Sequence, residues 1–324
     1  MQYGKIVGVS KPVSRIGQGT VMLTSDREAQ GFELLDVVFE GGVNLFDSSH
    51  VYGGGDCERV FGRWVASRGI RDRVVMLTKG AHHDRSGPRV RPECITQDLI
   101  GSLERLGFDF IDLYLLHRDD PAVPVGPIVE VLNEHHKAGR IGAFGGSNWT
   151  HARLQEANDY AAEHGLVPFA ASSPHFSLAE MVEPPWPNCI SIAGPRHKQA
   201  REWYAQASLA VVPWSSLAGG FLSGRYTRES LEGAPTDDRA AANAKRCYGS
   251  EDNYRRLERV TQLAGERGLS VTQAAIAYVL SQPLNMFPLT AAWNAEEARA
   301  NAAAGEARFT PKEVAWLDLR AETR

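Results

Sequence analysis

The chain has 324 residues, of which 43% are hydrophobic and 23% are charged, and its formal net charge is −4 at pH 7. This balance offers no basic surface for nucleic acid, and no apolar stretch is long enough to span a bilayer, so we expect neither partner. The four cysteines are scattered without a Cys-x-x-Cys pair and the N-terminus lacks a signal-like apolar segment, which favours reduced thiols in the cytoplasm and a small-molecule partner.

Eight short β-branched runs alternate with long amphipathic segments, the pattern of a parallel sheet built from βα units. The predicted strands are residues 16–20, 43–46, 74–78, 111–116, 141–145, 169–172, 209–214 and 286–289. The predicted helices are residues 28–40, 58–68, 94–106, 128–138, 151–164, 196–206, 251–267 and 271–281. Because no linker or composition shift divides the chain, we predict an α/β fold, a (β/α)8 TIM barrel forming a single domain over residues 1–324.

Two long loops interrupt the alternation. They are residues 183–195, after the sixth predicted strand, and residues 223–248, after the seventh. Loops of this length inside a compact domain are usually functional, so both are candidates for lids or ligand contacts.

Polar side chains stand where successive predicted strands end. Asp47, Lys79 and His117 end the second, third and fourth strands, and Tyr52 follows in the turn "SSHVYGGG". Strand carboxyl ends converge on one mouth of such a barrel. A phenol is a poor acid at neutral pH, so it needs a cation such as Lys79 to lower its pKa, and Asp47 can pair with that buried ammonium. We predict a proton donor, with His117 placed to hydrogen-bond a substrate oxygen.

A proton donor to a carbonyl oxygen requires a source of electrons for the carbon, and a cofactor has that role. Later strand ends carry groups suited to hold one: Ser147 and Asn148 can bond a carboxamide, and Trp214 can stack on a flat ring. The segment "SSLAGGFLSGR" offers small residues to a pyrophosphate. Adjacent His82 and His83 are expected to point in different directions, which argues against a metal-ligand pair there. The implied reaction is hydride transfer to a carbonyl.

Five segments carry a resemblance over nearly the full chain. They are "GGVNLFDSSHVYGGGDCERVFGRWV", "LTK", "DLYLLH", "IGAFGGSNW" and "PWSSLAGGFLSGRY". In this order they resemble the motifs of the aldo-keto reductases, including bacterial members and the potassium-channel β-subunits. The resemblance implies a (β/α)8 barrel, an extended nicotinamide cofactor at the mouth, and a tetrad of Asp47, Tyr52, Lys79 and His117 in which Tyr52 is the general acid.

The chain departs from the family pattern on the cofactor side. Ser173 stands where relatives commonly have a glutamine under the nicotinamide, and Ser216 replaces a proline. Glu297 stands where an arginine or glutamine is often found, and its carboxylate repels a 2′-phosphate. The resemblance implies NADPH, but NADH stays open. Arg225, or a basic residue of the long loop such as Arg239, can restore phosphate binding.

The predicted site residues form two sets. The cofactor contacts are Thr20, Ser147, Asn148, Ser173, Trp214, Ser215, Leu217, Gly219, Arg225, Glu297 and Asn301, and the substrate-pocket residues are His50, Arg118, His175 and Phe176. Plainer interpretations exist for single residues. Asp47 with Lys79 can be a structural salt bridge, Trp214 can be core and Asn148 a helix cap. The four predicted pocket residues can instead be packing residues or solvated residues at the rim of the mouth.

Two functions remain open. The first is a reductase, or in reverse a dehydrogenase, acting on an aldehyde, ketone or sugar carbonyl. The second is a cofactor-binding regulatory barrel like the channel β-subunits. The filled tetrad and the lack of an extra N-terminal segment favour the enzyme, and similarity to bacterial relatives in "SPHFSLA" and "PPWP" indicates carbohydrate metabolism. The aromatic loop "EPPWPNCISIAGPRHKQAREWY" can cover the substrate or contact a second copy in a homo-oligomer.

Overall fold

Parallel strands of the computed structural model, which describes residues 1–235 and 237–324, form a closed ring. The sheet order is β10-β9-β8-β7-β6-β5-β4-β3-β11. The strands are Tyr3–Gly4 (β1), Val13–Ser14 (β2), Gly17–Gly19 (β3), Leu45–Asp47 (β4), Val75–Gly80 (β5), Ile111–Leu116 (β6), Ile141–Ser147 (β7), Ala171–Ser173 (β8), Ala210–Val211 (β9), Asn285–Met286 (β10) and Leu289–Thr290 (β11).

The sheet closes because its two edges belong to one segment. β10 pairs in parallel with β9, and β11, three residues further along the chain, pairs in parallel with β3. The eighth predicted strand is therefore real but divided, with Phe287 and Pro288 bonded to β9 on one side and to Gly17 on the other. The predicted (β/α)8 TIM barrel is confirmed.

Helices surround the ring. They are Glu28–Glu40 (α1), Asp56–Arg68 (α2), Pro92–Leu106 (α3), Val125–Lys137 (α4), His151–Glu163 (α5), Lys198–Ala207 (α6), Arg228–Glu232 (α7), Arg239–Tyr248 (α8), Glu251–Arg267 (α9), Val271–Leu280 (α10), Ala295–Ala303 (α11) and Pro311–Leu317 (α12). α1 and α9 have the predicted bounds, and the other six predicted helices agree closely. Within the described residues, no helix is both long and apolar enough to cross a membrane.

The barrel has an inner and an outer core, because side chains alternate across each strand. Leu45, Leu77 and Leu115 point inward and pack with Ile6 and Val13 of the β1–β2 segment, which closes the amino end of the barrel. Phe46, Met76 and Tyr114 pack in the cluster that includes the helices' apolar residues. With the amino end closed, the carboxyl ends of the strands form the open mouth.

The prediction that residues 223–248 form a long loop is wrong, because this segment contains α7 and α8. Each helix begins at a side-chain cap: Thr227 accepts from the Ser230 N–H and Asp238 accepts from the Ala241 N–H. Each also buries an apolar side, represented by Leu231 in α7. Tertiary packing therefore stabilises helices too short to persist alone. The other predicted loop, 183–195, has no regular element before its last residue.

Candidate active site

Four predicted side chains, three from strand ends and one from the turn after β4, meet at the mouth. Lys79 at the end of β5 forms an ion pair with Asp47 at the end of β4, and their side chains are only 3% and 8% exposed. The Lys79 Nζ also donates to the Ser48 carbonyl oxygen (3.0 Å) and lies 5.2 Å from the ring centre of Tyr52. The rings of Tyr52 and His117 meet edge to face at 5.9 Å. The tetrad is thus one contiguous cluster.

A glycine-rich turn places Tyr52 over the ion pair. Gly53, Gly54 and Gly55 have φ values of 56°, 63° and 89°, a left-handed backbone that other residues adopt at a cost. The turn leads directly into α2, which approaches α3 so closely that a Cβ at Gly62 would lie 2.1 Å from the Leu106 carbonyl oxygen. These glycines therefore hold the phenol at the mouth by backbone geometry.

Burial controls the pKa values of the acid and its neighbours. Removal from water raises the pKa of Tyr52, and the Lys79 charge offsets part of that rise. The expectation that Lys79 brings this pKa below its ordinary value is therefore wrong, because burial outweighs the charge. Burial also raises the pKa of Asp47. Burial alone lowers the pKa of Lys79, but the charges of Asp47 and Tyr52 outweigh it and leave that pKa raised.

His117 is held neutral by its surroundings. Burial, followed by the positive charge of Lys79, keeps the pKa of His117 well below its usual value. Its Nδ1 lies 2.9 Å from the Ser49 hydroxyl, which also lies 3.2 Å from the Lys79 carbonyl oxygen. Ser49 was not predicted as a site residue, although its place two residues after Asp47 is a usable signal.

Other histidines surround this cluster. The His82 ring lies 4.8 Å from His117 and 4.3 Å from His83, so the expectation that the adjacent histidines point apart is wrong. His50 places its Nδ1 2.9 Å from the Lys79 carbonyl oxygen and its Nε2 3.5 Å from Asp98. No group of three or more His, Cys, Asp or Glu in residues 1–235 and 237–324 is arranged to hold a metal ion.

Two predicted pocket residues lie behind the mouth. His175 is fully buried, with Nδ1 2.9 Å from the Ser191 hydroxyl and Nε2 3.1 Å from the Tyr248 hydroxyl. Burial lowers its pKa to about 3. Phe176 is also buried and stacks on Tyr278 in the core. Both side chains are thus held by contacts within the protein, and their assignment to the substrate pocket stays a prediction.

The loop 183–195 packs against the mouth through an aromatic pair. Trp186 lies 5.2 Å from Trp214 between ring centres, at an interplanar angle of 30°, and 44% of Trp186 is exposed. The Ile190 N–H donates to the Asn148 amide oxygen (3.2 Å), so Asn148 anchors this loop, while Thr150 caps α5. Trp214 is half-buried at the rim and is not an ordinary core residue.

Two buried polar atoms on this side lack a hydrogen-bond partner among the described residues, namely the Ser173 Oγ at the end of β8 and the Trp214 Nε1 beyond β9. The neighbouring Ser147 hydroxyl, in contrast, donates to the Ser173 carbonyl oxygen (3.0 Å). Buried polar atoms are usually paired in folded proteins, so unpaired ones at a mouth are candidates for ligand contacts.

The segment after β9 has an unusual backbone. Ser215, Ala218, Gly219 and Gly220 have φ values of 52°, 51°, 59° and 97°. Repeated left-handed residues make concave turns that present backbone N–H groups to anions. Of the remaining predicted contacts, Leu217 is half-buried, Asn301 is buried on α11, and the Thr20 hydroxyl donates to the Asp47 carbonyl oxygen (3.0 Å).

Glu297 and Arg225 face each other at the outer end of this side. Their closest charged atoms are 3.8 Å apart, and 63% of the Arg225 side chain is exposed. The Glu297 carboxylate accepts from the Trp293 N–H (2.9 Å). A carboxylate and a guanidinium therefore both occupy the region where sequence analysis placed the adenosine ribose.

A cavity of about 540 Å³ lies elsewhere, beside the amino end of β4. Tyr3, Phe39 and Arg73 are among its lining residues, and none of the predicted site residues borders it. The clustered titratable groups, and not this cavity, identify the candidate site.

Comparisons of the sequence and of the fold with known proteins point to the same family. The model of the aldo/keto reductase family matches residues 15–320. A probable voltage-gated potassium channel subunit beta of Oryza sativa subsp. japonica is 29% identical over 87% of this chain and 84% of its own length. The aldo-keto reductase YhdN of Bacillus subtilis is 28% identical over 87% of this chain and 82% of its own.

A solved structure is similar over the whole fold. The aldo/keto reductase from Klebsiella pneumoniae in complex with NADP and acetate superposes with a TM-score of 0.72 at 24% identity, covering 99% of this chain and 96% of that one. At this identity the likeness demonstrates the barrel and leaves the site residues to be argued from this chain.

Proposed function

The chain belongs to the aldo/keto reductase family of carbonyl oxidoreductases, and from this premise we propose that it reduces an aldehyde, ketone or sugar carbonyl to an alcohol, or runs the reverse reaction. The tetrad performs the proton transfer, with Tyr52 as general acid. The observation that carries the proposal is the contact of Tyr52 with the buried Lys79–Asp47 pair. We place this activity in the cytoplasm, in one barrel domain of residues 1–324, acting on small carbonyl or sugar substrates.

The proton step follows from the charges around Tyr52. A raised pKa keeps the phenol protonated at neutral pH, so it is available to give its proton to a carbonyl oxygen. The adjacent Lys79 ammonium stabilises the phenolate that remains, and Asp47 keeps that ammonium charged and in place. A reduced nicotinamide, when bound, supplies the hydride that the carbonyl carbon requires.

His117 orients the carbonyl. To donate to the substrate oxygen, the neutral imidazole must carry its proton on Nε2, so its Nδ1 must accept a hydrogen bond. The Ser49 hydroxyl lies between this Nδ1 and the Lys79 carbonyl oxygen and has one proton for the two acceptors, so it supplies the bond when its O–H turns toward Nδ1. In that arrangement Ser49 is a positioning residue for the imidazole.

The residues present fit a nicotinamide dinucleotide. The unpaired Ser173 Oγ and Trp214 Nε1, with Asn148 beside them, are suited to the carboxamide end, and the left-handed turns after β9 are suited to the phosphates. NADPH is the proposed cofactor, with NADH as the alternative. The choice depends on whether Arg225 or Glu297 contacts the adenosine ribose, because only the guanidinium attracts a 2′-phosphate.

A regulatory barrel is the second candidate, favoured by the similarity to the rice channel β-subunit. In this alternative the chain binds the cofactor but turns over slowly, and it acts through a partner protein. The complete tetrad favours the enzyme.

The experiment is loss of reduced-nicotinamide absorbance with 4-nitrobenzaldehyde, using NADPH and NADH, for the wild type and Tyr52→Phe. Loss of the acid is expected to lower turnover about 10²- to 10⁴-fold, the usual contribution of a positioned general acid. Cofactor fluorescence should show unchanged binding. Tyr3→Phe, which removes a hydroxyl at the amino end of the barrel, is the control and should behave like the wild type.

Two results contradict the proposal in different ways. Undiminished turnover by Tyr52→Phe means that Tyr52 is not the acid. No turnover by the wild type with aromatic aldehydes, small aldehydes or sugars, when fluorescence shows bound cofactor, supports the regulatory alternative.

A further inference from the structure

Arg118 brings a buried positive charge to the mouth. It directly follows His117 at the carboxyl end of β6, and the residue is only 7% exposed. Its charge acts on the titrating groups of the mouth. It offsets part of the rise that burial causes in the pKa of Tyr52, and it adds to the lowering that burial causes in the pKa values of His82 and His117. Arg118 therefore lies close enough to the tetrad for its charge to act on these groups.

Nearby carboxylates are already occupied. Asp47 pairs with Lys79, Asp98 pairs with Arg89 at 2.6 Å, and Asp119, next in sequence, pairs with Arg153 at 3.3 Å. Among the described residues, no carboxylate oxygen lies within 4 Å of the Arg118 guanidinium. Arg118 thus has no carboxylate counter-ion among the described residues.

The hydrogen bonds of Arg118 are also incomplete. One Nη donates to the neighbouring His117 carbonyl oxygen (3.3 Å), but the Nε is buried without a partner. Trp186, from the loop 183–195, lies 5.9 Å from the guanidinium carbon. A buried arginine without an anion is costly, which is unusual for a purely structural residue. Its remaining N–H groups are suited to two oxygens of one anion.

We propose that Arg118 binds an anionic group, a carboxylate or a phosphate, carried by the carbonyl substrate, while Trp186 packs on the bound molecule. The inference rests on the proposed reductase function and assigns its substrate class. One end of the substrate meets Tyr52 and His117, and the other meets Arg118. Selectivity then comes from charge, since a neutral analogue leaves the guanidinium unpaired.

The test compares matched aldehydes with and without the charge. 4-Formylbenzoate is measured against 4-formylbenzamide, and glyceraldehyde 3-phosphate against glyceraldehyde, so that the two pairs distinguish carboxylate from phosphate. In Arg118→Met the ratio of kcat/KM for the anionic over the neutral member should fall about 10- to 100-fold relative to wild type. Arg118→Lys should give an intermediate ratio, because it keeps the charge but loses the planar fork.

Two controls distinguish an anion site from a general effect of surface charge and from a loss of catalysis alone. Arg59→Met removes an exposed positive charge on α2 and should leave the ratio unchanged. Titration with 4-(hydroxymethyl)benzoate and its neutral amide, followed by tryptophan fluorescence without turnover, reports binding beside Trp186. The wild type should prefer the acid, and Arg118→Met should lose that preference. If Arg118→Met does not fold, the kcat/KM ratio and the ligand titration of Arg118→Lys decide whether Arg118 binds the anion.

The outcomes distinguish this inference from the proposed function. If folded Arg118→Met keeps the wild-type ratio of kcat/KM for the anionic over the neutral aldehyde, the inference is overturned. It is also overturned if kcat/KM falls equally for both members of a pair, since Arg118 then only supports Trp186. A fall confined to one pair supports the inference and identifies the anion. If no aldehyde is reduced, the proposed function fails, but the titration still decides whether Arg118 selects an anion.

Discussion

The tetrad and the β8–β9 half of the mouth differ in how their polar groups are paired. In the tetrad, Asp47 and Lys79 form an ion pair and Ser49 meets His117, while the unpaired Ser48 hydroxyl and Arg118 Nε lie outside it. On the β8–β9 half, the hydroxyl of Ser173 and the indole N–H beyond β9 are buried without partners. In the proposed mechanism the protein itself organises the proton donor, whereas the β8–β9 half keeps hydrogen-bonding capacity for a ligand.

The largest expected effect comes from breaking the pairing on the β4–β6 half. Lys79→Met leaves the Asp47 carboxylate buried without its partner, so we expect the free energy of unfolding to fall by about 3–5 kcal/mol. Urea unfolding at pH 7 measures it. The double variant Asp47→Asn with Lys79→Met removes both charges and should recover most of the loss. A loss below about 1 kcal/mol in the single variant contradicts a tightly coupled pair.

The next effect concerns the pH dependence of stability that the buried His175 gives to the β8–β9 half. His175, behind Trp214, has a folded-state pKa of about 3 against an ordinary value of 6.5. Below pH 6.5 the unfolded chain binds a proton that the folded chain refuses, so stability present above pH 6.5 is lost as the pH falls toward 3. Between pH 7 and pH 5 the loss from this residue is about 2 kcal/mol.

His175→Gln removes this titration and can still hydrogen-bond Ser191 and Tyr248. The difference in unfolding free energy between pH 7 and pH 5 should therefore shrink by about 2 kcal/mol relative to wild type. His164→Gln, at an exposed histidine, should keep the wild-type difference. Equal pH dependence in all three proteins means that His175 is protonated in the folded state or is not buried.

The smallest effect concerns Glu297 and Arg225, at the outer end of the β8–β9 half. Glu297→Arg replaces a carboxylate with a group that attracts a 2′-phosphate and removes the counter-charge of Arg225. We expect the ratio of kcat/KM for NADPH over NADH to rise about tenfold, equivalent to about 1.4 kcal/mol. Glu296→Arg makes the same charge change on an exposed neighbour and should not alter the ratio. If both variants behave alike, Glu297 does not face the 2′ position.

The sequence by itself determined the barrel and the position of the tetrad. Periodicity predicted α1 and α9 with their observed bounds, and polar residues at strand ends predicted Asp47, Lys79 and His117. These features are local, because side-chain period and strand termini are encoded within about ten residues. Closure of the barrel then brings equivalent strand ends to one mouth, so their meeting was predictable as well.

Beyond the Asp47–Lys79 pair, which the strand ends already predicted, only the tertiary structure decided the contacts and the burial of these groups. Ser49 and His117 are 68 positions apart in the chain, and their contact depends on the stagger of β4, β5 and β6. The raised pKa of Tyr52, the buried His175 and the unpaired Nε of Arg118 all depend on distances between segments remote in sequence. Solvation and Coulomb energies follow those distances, which no local pattern encodes.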